Sequence, residues 1–243
     1  NNGIEIVISY AGTYDKDILG DIAADVGLTT GFGSDQLLQA ADYYLQVKAA
    51  NPDANIALTG HSLGGGLAAL IGVFFGVEAT TFDQAPFANS AEANFLTPDI
   101  AASLKTDLLE EGYSESDLSG LTDFLRQREV NGVIPNSNLV TTIRVDGEFL
   151  SDAPFTLFEP IGAPATLIQH ATTSVGGSDQ HAQSLLTAFL QSQQTAPEGH
   201  ALNDATYKLA DLLKMLFDGN LFSYRADDPN NVNFLDQIVR HEF

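Results

Sequence analysis

Gly60-His61-Ser62-Leu63-Gly64 sets a serine between two glycines, with apolar Ile56-Ala57-Leu58-Thr59 in front and Gly65-Gly66-Leu67-Ala68-Ala69-Leu70 behind. A serine hydroxyl in such a setting can attack an acyl carbon, provided a base takes its proton. The spacing G-x-S-x-G has a physical reason. A buried strand turns sharply into a helix, and the turn holds the central serine in a strained backbone conformation with its hydroxyl clear of the sheet. A side chain at Gly60 or Gly64 would collide with the neighbouring strand and helix. The first N–H groups of the helix face the same spot and can hold an oxyanion. A glycine-rich helix start with a chance serine would also match five residues, but the strand before and the helix after argue against it.

A serine nucleophile needs a histidine within hydrogen-bond reach, and a carboxylate to orient and stabilise that imidazole. Behind such an elbow, the acid follows the end of a later strand and the histidine comes on a loop after it. His61 sits inside the elbow beside Ser62 and is expected to point elsewhere. His170, His181, His200 and His241 all follow the serine. His181 ends the flexible run Gly176-Gly177-Ser178-Asp179-Gln180 and opens a helix at Ala182, so its loop can curl over the sheet edge. His170 follows apolar Leu167-Ile168 and reads more as a structural histidine, while His200 and His241 fall in later, peripheral segments. His181 is the expected base. The acid should follow the strand that ends at Val145, where Asp146, Glu148 and Asp152 compete. For the oxyanion hole, the N–H of Leu63 is one donor by construction. The turn after the first strand, Gly12-Thr13, supplies the second, and the N–H of Thr13 is the expected group.

These residues need elements to hold them. The pattern predicts an α/β fold with a mostly parallel sheet flanked by helices. Glu5-Ile6-Val7-Ile8-Ser9-Tyr10 reads as a strand that ends at Ala11-Gly12-Thr13. A helix spans 33–50, with Leu37, Leu38, Ala41, Tyr44, Leu45 and Val47 at helical spacing, Ser34 as N-cap and Asn51-Pro52 as stop. The elbow strand and its helix run to about Phe75. Ala79-Thr80-Thr81-Phe82 is a short strand that breaks at Asp83-Gln84-Ala85-Pro86. Thr97-Pro98-Asp99 opens a helix to about Gly112, and a second helical stretch covers 114–129. The chain returns to the sheet with Val140-Thr141-Thr142-Ile143-Arg144-Val145. Residues 153–179, rich in Pro, Gly, Ser and Thr, read as loop, and helices are expected over 182–194, 204–217 and 234–239. The whole is expected to be a single domain over 1–243, with a helical cap insertion near 90–135.

Composition sets the outer limits. A chain of 243 residues can bury a full α/β core, and 44% apolar content with mean hydropathy near zero is that of a globular protein. A net charge of −22, from 32 acidic and 10 basic residues, excludes a nucleic-acid partner and electrostatic docking on anionic membrane. It leaves open a lipid substrate, which apolar surface would engage. Cysteine is absent, so disulfides, thiolate metal sites and a cysteine nucleophile are excluded. No run of 18 apolar residues and no signal peptide are visible. The serine chemistry calls for no metal and no cofactor.

Taken together, these residues resemble the class 3, or fungal-type, lipase family of the α/β-hydrolase superfamily. Ile8-Ser9-Tyr10-Ala11-Gly12-Thr13 is similar to that family's strand ending in F-R-G-T or F-R-G-S, with Ala11 at the usual Arg. The stretch from Asn51 to Gly65 looks very like its nucleophile segment, and Thr81-Phe82-Asp83-Gln84-Ala85-Pro86 resembles its T-F-G-x-P, with Asp83 at the Gly. The likeness covers roughly 4–90, and 140–154 more loosely. In that family two apolar residues follow the catalytic acid, and Leu-Pro comes a few residues on. Setting Pro154 on that proline places Glu148 on the acid, where most members have Asp. The resemblance implies a lipid-ester hydrolase acting through an acyl-enzyme, either an acylglycerol lipase or a phospholipase A1, with Ser62, His181 and Glu148 as its triad. It implies a helical lid, here expected in 90–135, and a transient contact with a lipid interface. The family carries a helix and strands ahead of the Gly-Thr strand, so this chain is expected to be a fragment of a longer, secreted protein. The competing reading is a silent lipase-like module for binding or adhesion. Acyl transfer to an alcohol would look the same in sequence.

Overall fold

The computed structural model describes residues 4–12, 32–92, 99–131, 133–145, 148, 150, 159–162 and 166–168, all within one compact unit, Asn1–Ile168. Five strands form one parallel sheet: β1 Glu5–Tyr10, β2 Asn55–His61, β3 Ala79–Phe82, β4 Val140–Val145 and β5 Thr166–Ile168. Spatial order follows chain order, so each crossover steps one strand further in the same direction. The helices are α1 Phe32–Ala50, α2 Leu63–Phe75, α3 Ala88–Ala91, α4 Ile100–Glu110 and α5 Ser119–Asn131.

Register explains which strand residues are apolar. Ile8, Leu58, Ala79 and Val140 stand side by side across four strands, and all are buried. The next row on that face is Tyr10, Gly60, Thr81 and Thr142. The intervening row, Ser9, Thr59, Thr80 and Thr141, faces the other way and is partly or fully exposed, as alternation along a strand requires.

Against the buried rows lies α2. All thirteen of its residues are buried, which is why its sequence has small and apolar residues on every side and no charge. Leu37, Ala41 and Tyr44 of α1 and Leu121 and Phe124 of α5 complete the core around it. Phe74 meets Phe124 edge to face, with ring centroids 4.8 Å apart. The α2 helix ends at Gly76, whose φ of 69° is the left-handed cap that glycine adopts without strain.

The two helices of the 90–135 excursion pack as a crossover between β3 and β4. Leu104, Leu108, Leu118, Leu121 and Phe124 are buried in the common core with α1 and α2. A lid is expected in this excursion, whose residues 93–98 lie outside the described residues. Arg128, 4% exposed, bonds the Ala91 carbonyl at 3.2 Å and Asp99 Oδ2 at 2.6 Å, tying α5 to α3 and to the start of α4. A guanidinium buried this deeply is tolerable only when it is paired in this way.

Several boundaries differ from expectation. The α1 helix begins at Phe32, which puts Ser34 inside its first turn and not at the cap. The cap of α4 is Asp99, whose carboxylate accepts from the Ala102 N–H at 3.1 Å, and not Thr97. The helix expected from Ser114 begins at Ser119, because Asp117 Oδ2 accepts from the Ser114 N–H at 2.9 Å and holds a turn there. β5 falls in a stretch expected to be loop. The helices expected beyond residue 168, and with them the C-terminal part of the single-domain reading, lie outside the described residues.

Candidate active site

Ser62 joins β2 to α2 with φ 57° and ψ −126°, a conformation that a residue with a Cβ adopts only when its surroundings impose it. Those surroundings are visible. The Ser62 N–H donates to the Phe82 carbonyl at 3.1 Å, and its carbonyl accepts from Gly66 N at 3.0 Å and Ala85 N at 2.9 Å. The peptide is gripped on both sides by the segment that follows β3. The residue is 5% exposed.

Close approach explains the two flanking glycines. A Cβ on Gly64 would fall onto the Tyr10 carbonyl, and one on Gly60 would fall onto the Gly64 carbonyl. Gly12 has the same logic, since a Cβ there would lie 2.9 Å from the His61 oxygen and 3.5 Å from Ser62 Cβ. The end of β1 therefore runs directly against the Ser62 turn. Thr13, the next residue, lies outside the described residues. Leu63 is the first residue of α2, where backbone N–H groups have no intrahelical acceptor.

Glu148 follows the end of β4 and is fully buried. Its Oε2 accepts from the Leu150 N–H at 2.8 Å, and its Oε1 lies 3.5 Å from Arg144 Nε. Both oxygens are thus oriented. Asp146 and Asp152, its competitors, lie outside the described residues, as do His170, His181, His200 and His241. β5 ends at Ile168, and His170 and His181 come after it in the chain.

One site residue was not singled out from the sequence. Asp83, at the end of β3, is fully buried and has φ 41°. Its N–H donates to the Ile143 carbonyl at 2.9 Å, and its Oδ1 accepts from the Val145 N–H at 2.8 Å. Its Oδ2 lies 3.9 Å from Nε2 of His61 and has no hydrogen-bond partner among the described residues. The signal was present: Asp83 stands where the resembled motif has glycine, the residue most at ease with positive φ. His61, expected to point away from the reaction, faces this carboxylate.

Burial, with the charge of Glu148 adding to it, raises the Asp83 carboxyl from 3.8 to about 7, against the lowering effects of the Val145 N–H and Arg144. The unfolded chain releases this proton near pH 4 and the folded one near pH 7. Between those values the folded state binds the extra proton, so stability falls as pH rises, and is level above. Asp83→Asn lacks this titration. The stability of Asp83→Asn relative to the parent should climb between about pH 4 and 7, by up to a few kcal/mol at ~1.4 kcal/mol per pH unit. Urea unfolding at several pH values measures it, and a difference that stays flat contradicts the buried-carboxyl assignment.

A cavity of about 370 Å³ opens beside the Ser62 turn, lined by Tyr10, Gly12, Ala40, Tyr43, Leu63 and Leu67 among others. Among the described residues no group of His, Asp and Glu is placed to hold a metal ion, and no helix is long and apolar enough to cross a membrane.

A family model described as "Phospholipase-like: Tle-like phospholipase domain" matches residues 1–195. A Penicillium rubens protein named "Putative lipase atg15" is 49% identical over 47 residues, 19% of this chain and 7% of that protein. Its namesake from Eremothecium gossypii is 56% identical over 50 residues, 20% of this chain and 9% of the relative. "Extracellular phospholipase A1" of Serratia liquefaciens is 39% identical over 85 residues, 35% of this chain and 25% of that protein. The chain thus spans a quarter or less of the length of these relatives.

Proposed function

The chain belongs to the Tle-like phospholipase domain family, and from that premise we propose that it hydrolyses lipid carboxylic esters, of the phospholipase A1 or acylglycerol lipase type, through an acyl-enzyme on Ser62. The observation that carries this reading is the strained Ser62 turn, braced on both sides and set between the end of β1 and the N-terminus of α2. Backbone strain held in place by its surroundings clusters at functional sites, and here it falls on the one residue of the turn that carries a nucleophilic hydroxyl.

In the proposed mechanism, His181 removes the Ser62 proton as Oγ attacks the ester carbonyl. The N–H groups of Leu63 and Thr13 hold the oxyanion, and Glu148 steadies the imidazolium. The proton then passes to the leaving alcohol, and water, activated by the same histidine, frees the fatty acid. The bond from the Leu150 N–H and the approach of Arg144 support the role of Glu148, because a triad acid must be held in a fixed orientation. The cavity between β1, α1 and α2 offers apolar lining from Leu63, Leu67 and Ala40 for an acyl chain. The names of the relatives, a phospholipase A1 and two lipases, favour a lipid over a small soluble ester. The extracellular relative from Serratia favours secretion, and the lipid substrate favours transient contact with a lipid interface. The class 3 lipase likeness belongs to the same reading.

Fatty-acid release from phosphatidylcholine and triacylglycerol dispersions tests the proposal. The parent chain should release fatty acid, and His181→Ala and Glu148→Gln should each lower kcat by about 10³-fold or more. His170→Ala and Asp146→Asn should stay within about tenfold of the parent. Collapse at His170 or Asp146, with His181 and Glu148 spared, would reassign the base or the acid. No release from either dispersion by the folded chain would leave the silent binding module as the better account.

A further inference from the structure

The segment Phe82–Ala85 touches both halves of the proposed machinery. Toward the nucleophile, the Phe82 carbonyl accepts from the Ser62 N–H, and the Ala85 N–H donates to the Ser62 carbonyl. Toward the acid, Asp83 takes hold of the end of β4 twice, through its N–H to the Ile143 carbonyl and through Oδ1 from the Val145 N–H. Val145 is also the residue whose carbonyl accepts from the Glu148 N–H, at 3.3 Å, in the turn that carries Glu148. A single four-residue piece of chain therefore spans from the peptide of Ser62 to the base of the acid's turn.

Glycine would adopt φ 41° at this position without strain, whereas a residue with a Cβ pays roughly 1–2 kcal/mol for left-handed backbone. Asp83 carries that cost and also the cost of a buried carboxyl beside Glu148. Asp and Asn are the two side chains that tolerate this conformation and also bring an acceptor oxygen. Groups facing the carboxylate are His61 from β2, Arg144 from β4 and Glu148 beyond it.

We propose that Asp83 is a positioning residue, whose side-chain oxygen clamps the end of β4 so that the Glu148 turn and the Ser62 turn are held in fixed relation. This rests on the ester-hydrolase reading for its effect on rate, but the clamp itself is a property of the backbone and can be seen without activity. Without the clamp the acid's turn drifts while the substrate cavity, lined by β1, α1 and α2, is untouched. The chemical step should suffer and binding should not.

The test compares Asp83→Gly, Asp83→Ala and Asp83→Asn by steady-state hydrolysis of p-nitrophenyl butyrate and by amide hydrogen exchange at Val145. Asp83→Gly should lower kcat by about 10- to 100-fold with KM within about threefold, and the Val145 amide should lose its protection. Asp83→Asn, which keeps an oxygen for Val145, should recover most of the rate and all of the protection. A kcat for Asp83→Gly equal to the parent's, or a kcat for Asp83→Asn as low as that of Asp83→Gly, overturns the proposal. If Asp83→Gly does not fold, Asp83→Ala takes its place in the same comparison. A parent chain that hydrolyses no ester, yet shows protection at Val145 lost in Asp83→Gly and kept in Asp83→Asn, refutes the hydrolase reading and upholds the clamp. Protection unchanged in Asp83→Gly refutes the clamp, whatever the activity.

Discussion

Ser62→Ala should abolish ester hydrolysis while leaving the fold intact, with a fall in kcat of roughly 10⁵- to 10⁶-fold. Strain at φ 57° is borne equally by Ser and Ala, since both carry a Cβ, and the bonds that impose it run through the Ser62 N–H and carbonyl. Removing Oγ therefore costs little stability, within about 1 kcal/mol. What disappears is the oxygen proposed to form the acyl bond. The remaining rate would be what the oxyanion donors and substrate binding can do with water alone. Initial rates on p-nitrophenyl esters, paired with thermal unfolding, give both quantities. Parent-like rates in a folded Ser62→Ala protein would remove the serine from the mechanism.

Gly64→Ala should show the opposite pattern, with stability lost first and activity following. Its Cβ has no route of escape, because the nearest atoms are the Tyr10 carbonyl and the backbone of Ala11, not the tip of a flexible side chain. Admitting it means prising the end of β1 away from the start of α2, against the buried rows Ile8–Leu58 and Tyr10–Gly60. The expected loss is about 3–5 kcal/mol, at the exceptional end for one substitution. Gly112→Ala is the matched control. Gly112 has φ 101° but nothing within 4 Å of its would-be Cβ, so it should cost only backbone strain, roughly 1–2 kcal/mol. Chemical denaturation of the two variants decides it. Equal losses would mean that crowding between β1 and α2 is not what fixes glycine at 64.

The contrast between these glycines shows which features the sequence discloses. From Glu5 to Phe82, each apolar run ends at a residue that breaks its own pattern: Gly12, Asn51-Pro52, the Gly60–Gly64 turn, Gly76, Asp83. Strand and helix periods are then legible one after another, and β1, α1, β2, α2 and β3 fall within a residue or so of where those breaks put them. β5 gives no such signal. Its three residues sit in a Pro- and Gly-rich stretch, and it becomes a strand because Thr166 and Leu167 pair with Ile143 and Arg144. At the start of α4, Thr97 and Asp99 both have the chemistry of a cap, and only the direction of the Ala102 N–H chooses Asp99.

Within the candidate site the division is similar. Ser62 and its glycines are legible because the constraint is local and every partner lies within a few residues. Glu148 is legible as a position after a strand, though its ties to Leu150 and Arg144 are not. Asp83 is the instructive case. Its bond to Val145 spans 62 residues of chain, and no period or spacing connects the two. What the sequence does show is an aspartate in place of a glycine, and the positive φ turns that oddity into a reason.

Every step proposed for this site depends on an activated hydroxyl at Ser62. Treating the folded chain with an alkyl fluorophosphonate and mapping the modified peptide tests it most directly, because the reagent loses fluoride to form a phosphorus–oxygen bond only with a serine already prepared to attack. The account predicts one adduct per chain, on Ser62, absent in Ser62→Ala and formed far more slowly in His181→Ala. A folded chain that hydrolyses esters but takes no label on Ser62, or takes it elsewhere, would contradict the account.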